Sequence, residues 1–598
     1  MPILFKLSAQ YPVSHFLQIE MIISEIDSEE ILIDLPSWRP GRYELGNFAK
    51  NVRSWRAYNN KNESLAFRKT TKDTWQVSTE GASTITIRYD YYCSQPDAGG
   101  CWVDEDQIYI NPVQCLMFPA GRISESSTIE LSLPPNYIVA TSLSNTGNNV
   151  FSAIDFHELY DSPLIASASL QLQKYKAGNS EFFVWFQGNC KPEWDKIIRD
   201  FIFFSREQYE MMGDFPFTTY HFLIQILPYR FYHGVEHLNS TVLALGPGQE
   251  LMNDSLYIDF IGVASHELFH AWNIKTIRPA DMLPYDYKSE NYSRLGFVYE
   301  GVTTYYGDLF LARCGVYSVD QFFKEISVRL QKHFDNPGRF NLSVADSSFD
   351  TWLDGYTPGA PGRKTSIYDE GCLTALMTDL LIRKATDSVS SLDDVMKTLY
   401  VDFGKRGIGY SEHDYISIVE HFTKKPMADF FLDHVYGTEE YKKLLEELLS
   451  EAGCLLVMTS STEETERTYG FKTTEEGGYT VVSSIMPGSP AFIAGLGKGD
   501  EIIAVNENKV EENISAYFKM FKGEKVILTI LTPMKALKDI PLSPSSEEYY
   551  QKFSIRKKDN ATTENRKFFK AWLKQEFEES EEQESRIKSQ ESRQKNQE

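Results

Sequence analysis

Residues His266-Glu267-Leu268-Phe269-His270 constrain this chain more than any other stretch. They sit within residues 259–273, where Ile261, Ala264, Leu268 and Trp272 recur at helical spacing. That spacing predicts a helix. On a helix, positions i and i+4 share one face, so the two imidazoles converge on one point. Two neutral imidazoles are good zinc ligands. Glu267, next to the first of them, can reach a water held there and act as a general base without being a ligand. The plainer alternative is a helix with two incidental histidines. It leaves two imidazoles and a carboxylate on a largely apolar helix, where burial without partners is unfavourable.

A catalytic zinc needs a third protein ligand and one open position. Glu300 is the best candidate, in Gly296-Phe-Val-Tyr-Glu-Gly-Val-Thr-Thr-Tyr-Tyr306. A second helix, rich in aromatic and apolar residues, is expected over 297–311. An isolated carboxylate there is costly unless paired or metal-bound. The alternative for Glu300 is a carboxylate near the positive end of a helix dipole.

Taken in order, His-Glu-Leu-Phe-His-Ala-Trp-Asn273, Lys275, Arg278-Pro279 and Glu300-Gly-Val-Thr-Thr-Tyr-Tyr306 resemble the glycyl aminopeptidase family of zinc metallopeptidases. This is a gluzincin family, with two His from the helix motif and a Glu from a later helix. Pro36-Ser-Trp-Arg-Pro-Gly-Arg-Tyr43 and Gly46-Asn-Phe-Ala-Lys-Asn-Val52 are similar to its N-terminal domain. The resemblance implies one Zn²⁺ per chain on His266, His270 and Glu300. It implies further that Gly234 and Glu236, in Gly234-Val-Glu-His-Leu-Asn239, bind substrate, with Glu236 on the free amino group. His237 stands where the more distant aminopeptidase N family has Asn. Thr365-Ser-Ile-Tyr-Asp-Glu-Gly371 resembles the segment whose Tyr stabilises an oxyanion there, making Tyr368 the counterpart. Asp369-Glu370 departs from that segment's usual Glu-Lys. The expected function is therefore removal of N-terminal residues, small ones (Gly or Ala) by the resemblance, from peptides with free N-termini. Two rivals stand beside it: a zinc endopeptidase with the same core, and a non-catalytic peptide-binding scaffold.

The scaffold reading comes from the last third of the chain. Met486-Pro-Gly-Ser-Pro-Ala-Phe-Ile-Ala-Gly-Leu-Gly-Lys-Gly-Asp-Glu-Ile-Ile-Ala-Val-Asn506 resembles a bacterial PDZ pattern, with a short helix, a tight turn and a strand over 501–505. Tyr469-Gly470-Phe471 is similar to the loop whose backbone N–H groups hold a peptide C-terminus, and an edge strand beside it would accept a peptide by β-augmentation. The alternative is a module that only packs on the catalytic domain.

Periodicity gives the rest of a multidomain α+β fold. Residues 1–170 alternate in short runs such as Phe16-Leu-Gln-Ile-Glu-Met-Ile22 and Thr84-Ile-Thr-Ile-Arg-Tyr-Asp-Tyr91, which predicts a β-rich N-terminal domain. Residues 171–455 open with strands near 181–186 and 220–227 and then read as mainly helical; the resemblance implies that this is a thermolysin-like catalytic domain. A polar linker at 459–466 begins a PDZ-like domain over 456–540. Residues 541–575 form an amphipathic close that packs on the core. Residues 576–598 are a charged tail, too polar to order themselves.

A net charge of −24 over 598 residues argues against nucleic acid or an anionic membrane as partner. The seven cysteines are scattered and odd in number, without Cys-x-x-Cys spacing, which disfavours a disulfide framework or thiolate-bound zinc. Cys93 and Cys101 flank a turn and are the one pair close in sequence. Reduced thiols suit a cytoplasmic setting. The N-terminal residues lack a signal-peptide pattern, and no apolar run reaches membrane-spanning length.

Overall fold

The computed structural model describes residues 3–357, 359–511 and 513–578. Most of the predicted tail, residues 579–598, lies outside them.

The N-terminal part is β-rich because its apolar residues alternate. In strand Phe16–Ser24, Leu17, Ile19, Met21 and Ile23 all point inward and the residues between them stay partly exposed. Strand Thr84–Tyr92 repeats the pattern with Ile85, Ile87, Tyr89 and Tyr91. These two pair antiparallel within a seven-stranded sheet, next to its Val52–Asn59 edge. Its order is Ser144–Gly147, Val150–Ala153, Ser127–Ser132, Ile3–Ser8, Phe16–Ser24, Thr84–Tyr92, Val52–Asn59. Two four-stranded sheets complete this part.

A five-stranded sheet follows, in the order Gln171–Ala177, Ser180–Gln187, Thr219–Ile226, Ser240–Gly246, Phe231–Glu236. Its outermost strand, Phe231–Glu236, runs antiparallel to Ser240–Gly246 with Glu236 opposite Thr241. Helices Trp194–Met212 and Asp254–Phe269 bury their apolar faces beneath the sheet. Ile261, Ala264 and Leu268 are wholly buried there. Helices then dominate, from Thr303–Arg313 to Lys442–Glu451.

Strands Cys454–Thr459 and Lys552–Lys557 pair antiparallel and bracket the PDZ-like module, whose sheet runs Phe471–Glu476, Tyr479–Ile485, Glu501–Val505, Val526–Leu531, Leu537–Leu542. The segment read from sequence as a polar linker is ordered instead. Ser461 and Glu464 are buried because each has a partner: Ser461 Oγ donates to Glu466, and Glu464 accepts from Arg467. The C-terminal helix Thr563–Leu573 returns to the catalytic core, where the Trp572 indole donates to the Tyr305 hydroxyl at 2.8 Å. Phe577 remains buried against Phe569, one residue short of where the description ends. All seven cysteines are free thiols. No described helix is long and apolar enough to cross a membrane.

Candidate active site

The helix Asp254–Phe269 presents His266 and Glu267 on the side away from its buried apolar face. It ends at Phe269, four residues before the sequence pattern would stop it, and His270 caps it. The reason is local. By bending, the chain lets His270 Nδ1–H donate to the Asn273 carbonyl at 2.8 Å. Asn273 Nδ2 in turn donates to the Val298 carbonyl at 2.9 Å and to Thr303 Oγ1 at 3.0 Å. This network assigns the His270 proton to Nδ1 and leaves Nε2 as a donor of electrons.

Glu300 arrives from a π-helical turn, Phe297–Val302, that continues into helix Thr303–Arg313. Such turns shift the residues of a helix face and recur at functional sites. Glu300 is 2% exposed and stands in the first turn of this helical segment, so the helix-dipole alternative agrees with its place but does not account for its convergence with two imidazoles. Its Oε2 lies 3.3 Å from His270 Nε2 and 3.9 Å from His266 Nε2, and the two Nε2 atoms are 3.0 Å apart. The three ligand atoms all lie within 4.8 Å of one another. Two imidazole nitrogens and one carboxylate converging on a point is the donor set of a catalytic zinc. Glu300 Oε1 accepts a hydrogen bond from the Tyr43 hydroxyl at 2.9 Å.

Glu236 ends the edge strand, yet it is 3% exposed and its Oε1 has no hydrogen-bond partner. It forms a second convergent group with Glu267 and His270, again within 4.8 Å. Glu267 Oε2 is also buried and unpartnered. Burial, with Glu236 and Glu300 adding to it and His270 opposing, pushes the Glu267 carboxyl well above its usual range. Crowded carboxylates of this kind call for a cation. Gly234 permits the close approach of strand and helix: a Cβ there would lie 2.3 Å from Glu267 Oε1. Gly41, at φ +79°, does the same for the N-terminal domain, since a Cβ would lie 2.4 Å from Glu236 Oε2. His237 turns away to Asp161, whose Oδ1 is 3.0 Å from its Nδ1.

Tyr368 precedes helix Asp369–Ala385, with its hydroxyl 3.1 Å from that of Tyr356. Gly301 and Gly371 let this helix touch the Glu300 turn, because a Cβ on Gly371 would meet Gly301 Cα at 2.6 Å. Tyr356 and Tyr368 line a cavity of about 690 Å³ with His266, Glu267, Asp308 and Arg329. Thus His266, Glu267, His270, Glu300, Glu236 and Gly234 come together, and Tyr368 faces the same cavity. Gly470 and Phe471 lie elsewhere, in the separate core of the PDZ-like module, where Phe471 packs on Phe518. Sequence reasoning missed Gly41 and Tyr43 as site residues. Their signal was the Arg-Pro-Gly-Arg-Tyr43 cluster, which breaks the alternation of a β domain.

Three family matches fall along the chain: the peptidase M61 N-terminal domain over residues 4–168, M61 glycyl aminopeptidase over 259–374, and a PDZ domain over 481–532. No curated protein matches by sequence. Among solved structures, an aminopeptidase N family protein from Idiomarina loihiensis matches with TM-score 0.88 at 24% identity, covering 96% of this chain and 100% of its own. That likeness shows the fold. An M1 zinc metallopeptidase from Deinococcus radiodurans matches with TM-score 0.43 at 13% identity, covering 72% of this chain and 91% of its own, too low a score to carry an argument. The two M61 peptidase models are matched in order, over residues 4–168 and 259–374, and the chain is a metallo-aminopeptidase.

Proposed function

We propose that this chain removes single N-terminal residues from peptides with free amino groups, using one zinc ion held by His266, His270 and Glu300. The observation that carries the reading is the buried, unpartnered oxygen of Glu236 beside Glu267 and His270. A carboxylate buried without a partner is unfavourable, and a substrate ammonium satisfies it with a charge-assisted hydrogen bond. An endopeptidase would gain nothing from it.

Zinc bound there supplies a Lewis acid and lowers the pKa of water. Glu236 holds the ammonium and so measures off one residue. Glu267 takes the proton of the attacking water and passes it to the leaving amine. Tyr368 donates its O–H to the developing oxyanion, with Tyr356 holding the phenol in place. Small first residues, Gly or Ala, are the expected preference. The intact Glu267 and Tyr368 argue against a scaffold without catalysis.

The test is direct. The purified protein should cleave Gly- and Ala-anilides with free amines, ignore their N-acetylated forms, and lose activity to a chelator. Equal cleavage of free and acetylated substrates would favour the endopeptidase; no cleavage of either, with metal bound, would favour the scaffold.

A further inference from the structure

The PDZ-like module does not hang free of the catalytic core. The paired strands Cys454–Thr459 and Lys552–Lys557 at its neck lie along helix Val319–Asp335. Phe553 N–H donates to Gln331 Oε1 at 3.1 Å, Ile555 N–H donates to Ser327 Oγ at 3.2 Å, and Phe553 stacks on Phe334 with ring centres 3.8 Å apart. Within the module, Lys472 Nζ reaches Asp335 Oδ2 of the same helix at 2.6 Å. That helix also carries Arg329 and Lys332, which line the active-site cavity. The module is therefore fixed relative to the catalytic centre by bonds to one of the cavity's own walls.

Between them lies a second chamber of about 880 Å³. One side is the catalytic segment that holds Tyr356, Ser366 and Tyr368; the other is Ser483–Ile485, Phe492, Leu496 and Lys498 of the module. Lys332, Tyr356, Ser366 and Tyr368 line both the second chamber and the first, so the two are continuous. The module's side has three properties of a peptide site. Phe492 is 56% exposed and forms an apolar wall with Ile485 and Leu496. Strand Tyr479–Ile485 pairs with Glu501–Val505 at Val481, Val482 N–H donates to the Asp500 carbonyl and the Val482 carbonyl accepts from Gly499 N–H, and beyond these Ser483 falls at a register shift. The strand end that faces the chamber thus keeps backbone groups available for an extended peptide. Finally, the chamber keeps one cation over. Lys332 pairs with Asp369, Arg363 with Asp350 and Asp354, and Lys364 with Asp354, which leaves Lys498 facing the chamber in a chain of net charge −24. Lys498 has no ion-pair partner among the described residues.

The loop expected from sequence to take a peptide C-terminus is less open. Tyr549 N–H donates to the Arg467 carbonyl at 2.9 Å, Ser545 N–H donates to the Thr468 carbonyl at 2.9 Å, and the Tyr549 ring lies against Gly470.

We propose that the PDZ-like module is the far wall of the substrate cleft, and that it holds the carboxyl-terminal end of the peptide whose first residue is cleaved. The ammonium end is pinned at Glu236, the chain passes Tyr368 and Tyr356, and its tail meets Phe492 with its carboxylate toward Lys498. The module then selects for substrate length and for a free C-terminus. This rests on the aminopeptidase reading above.

The experiment uses the full chain and a series of Ala-led peptides from two to six residues, each with a free or an amidated C-terminus, beside Ala-anilide. In the wild type, kcat/KM should rise about tenfold or more with length, through KM, and amidation of the hexapeptide should remove part of the gain. Lys498→Glu and Phe492→Asp, both at exposed positions, should each lower the hexapeptide-to-anilide ratio about tenfold and leave the dipeptide-to-anilide ratio in place. Absence of any length dependence, or length dependence untouched by both substitutions, overturns the proposal. Failure of the aminopeptidase reading would show differently, as no turnover of Ala-anilide itself.

Discussion

Tyr43 donates to Glu300 across 257 positions of sequence. A hydrogen bond of this kind fixes the orientation of a metal ligand, and its loss typically weakens metal binding about 10- to 100-fold. Tyr43→Phe should therefore shift the zinc dissociation constant by that order, read by competition with a chromophoric chelator, while the fold's circular dichroism stays the same. An unchanged constant would deny the residue this role. Tyr368→Phe should lower kcat about a hundredfold or more with zinc still bound, because one oxyanion donor is typically worth about 3 kcal/mol. If kcat stays near normal, the bonded neighbour Tyr356 has the donor's part. At this scale the sequence was legible where spacing is short. His266, Glu267 and His270 are read from one helical turn. Glu300 needed the argument of an isolated carboxylate among apolar residues. Glu236 and Tyr368 were reachable only through family likeness, since nothing local separates one Tyr of 34 from another. Tyr43 stood out only as part of the Arg-Pro-Gly-Arg-Tyr43 cluster; its role did not show there, because its partner Glu300 lies in a different domain.

Elements meet closely where glycine allows it. Gly301 and Gly371 bring the Glu300 turn and the Tyr368 helix into backbone contact. Gly371→Ala puts a methyl 2.6 Å from Gly301 Cα, which backbone cannot absorb without moving. That substitution should lower the melting temperature and the zinc affinity together. Strand Thr219–Ile226 carries another dependence. His221 stacks on Phe183 with ring centres 4.5 Å apart and accepts from the Trp185 indole at 3.2 Å. Burial, helped by Lys174, pushes its pKa down to about 4. The unfolded chain binds this proton near pH 6.5, so it holds more protons than the folded chain between those values. The contribution is complete above about pH 6.5 and is lost as pH falls toward 4, by about 2–3 kcal/mol. Urea midpoints from pH 4 to 7 should fall less steeply for His221→Phe than for the wild type; parallel curves would remove His221 from the account. The sequence showed these strands through alternation and apolar runs. It overran the zinc helix by four residues, because the bend that serves His270 is set by Asn273 and its partners on the Glu300 helix, which helical periodicity does not report.

At the scale of the whole molecule, Asp161 binds the N-terminal part to the catalytic one. It accepts from Lys275 Nζ at 2.6 Å and from Leu238 N–H at 2.9 Å, and its Oδ1 lies 3.0 Å from His237 Nδ1. Burial opposes its charge, but Lys275 and then His237 hold the carboxyl well below the usual range. Asp161→Ala would strand Lys275, which is 7% exposed, and should cost about 3–5 kcal/mol in thermal or urea unfolding. A loss under 1 kcal/mol would mean that water or another group replaces it. The sequence gives the domain order, yet not that the N-terminal domain closes the site through Gly41, Tyr43 and Asp161. The central claim is that one buried carboxylate makes this an exopeptidase. The measurement that tests it most directly is kcat/KM of Glu236→Ala on free-amine and N-acetylated Ala-anilides, with zinc content determined in the same sample. The account predicts full zinc, loss of about 2 kcal/mol or more on the free-amine substrate, and no turnover of the acetylated one by the wild type. Undiminished free-amine activity in the variant, or wild-type cleavage of both substrates alike, would contradict it.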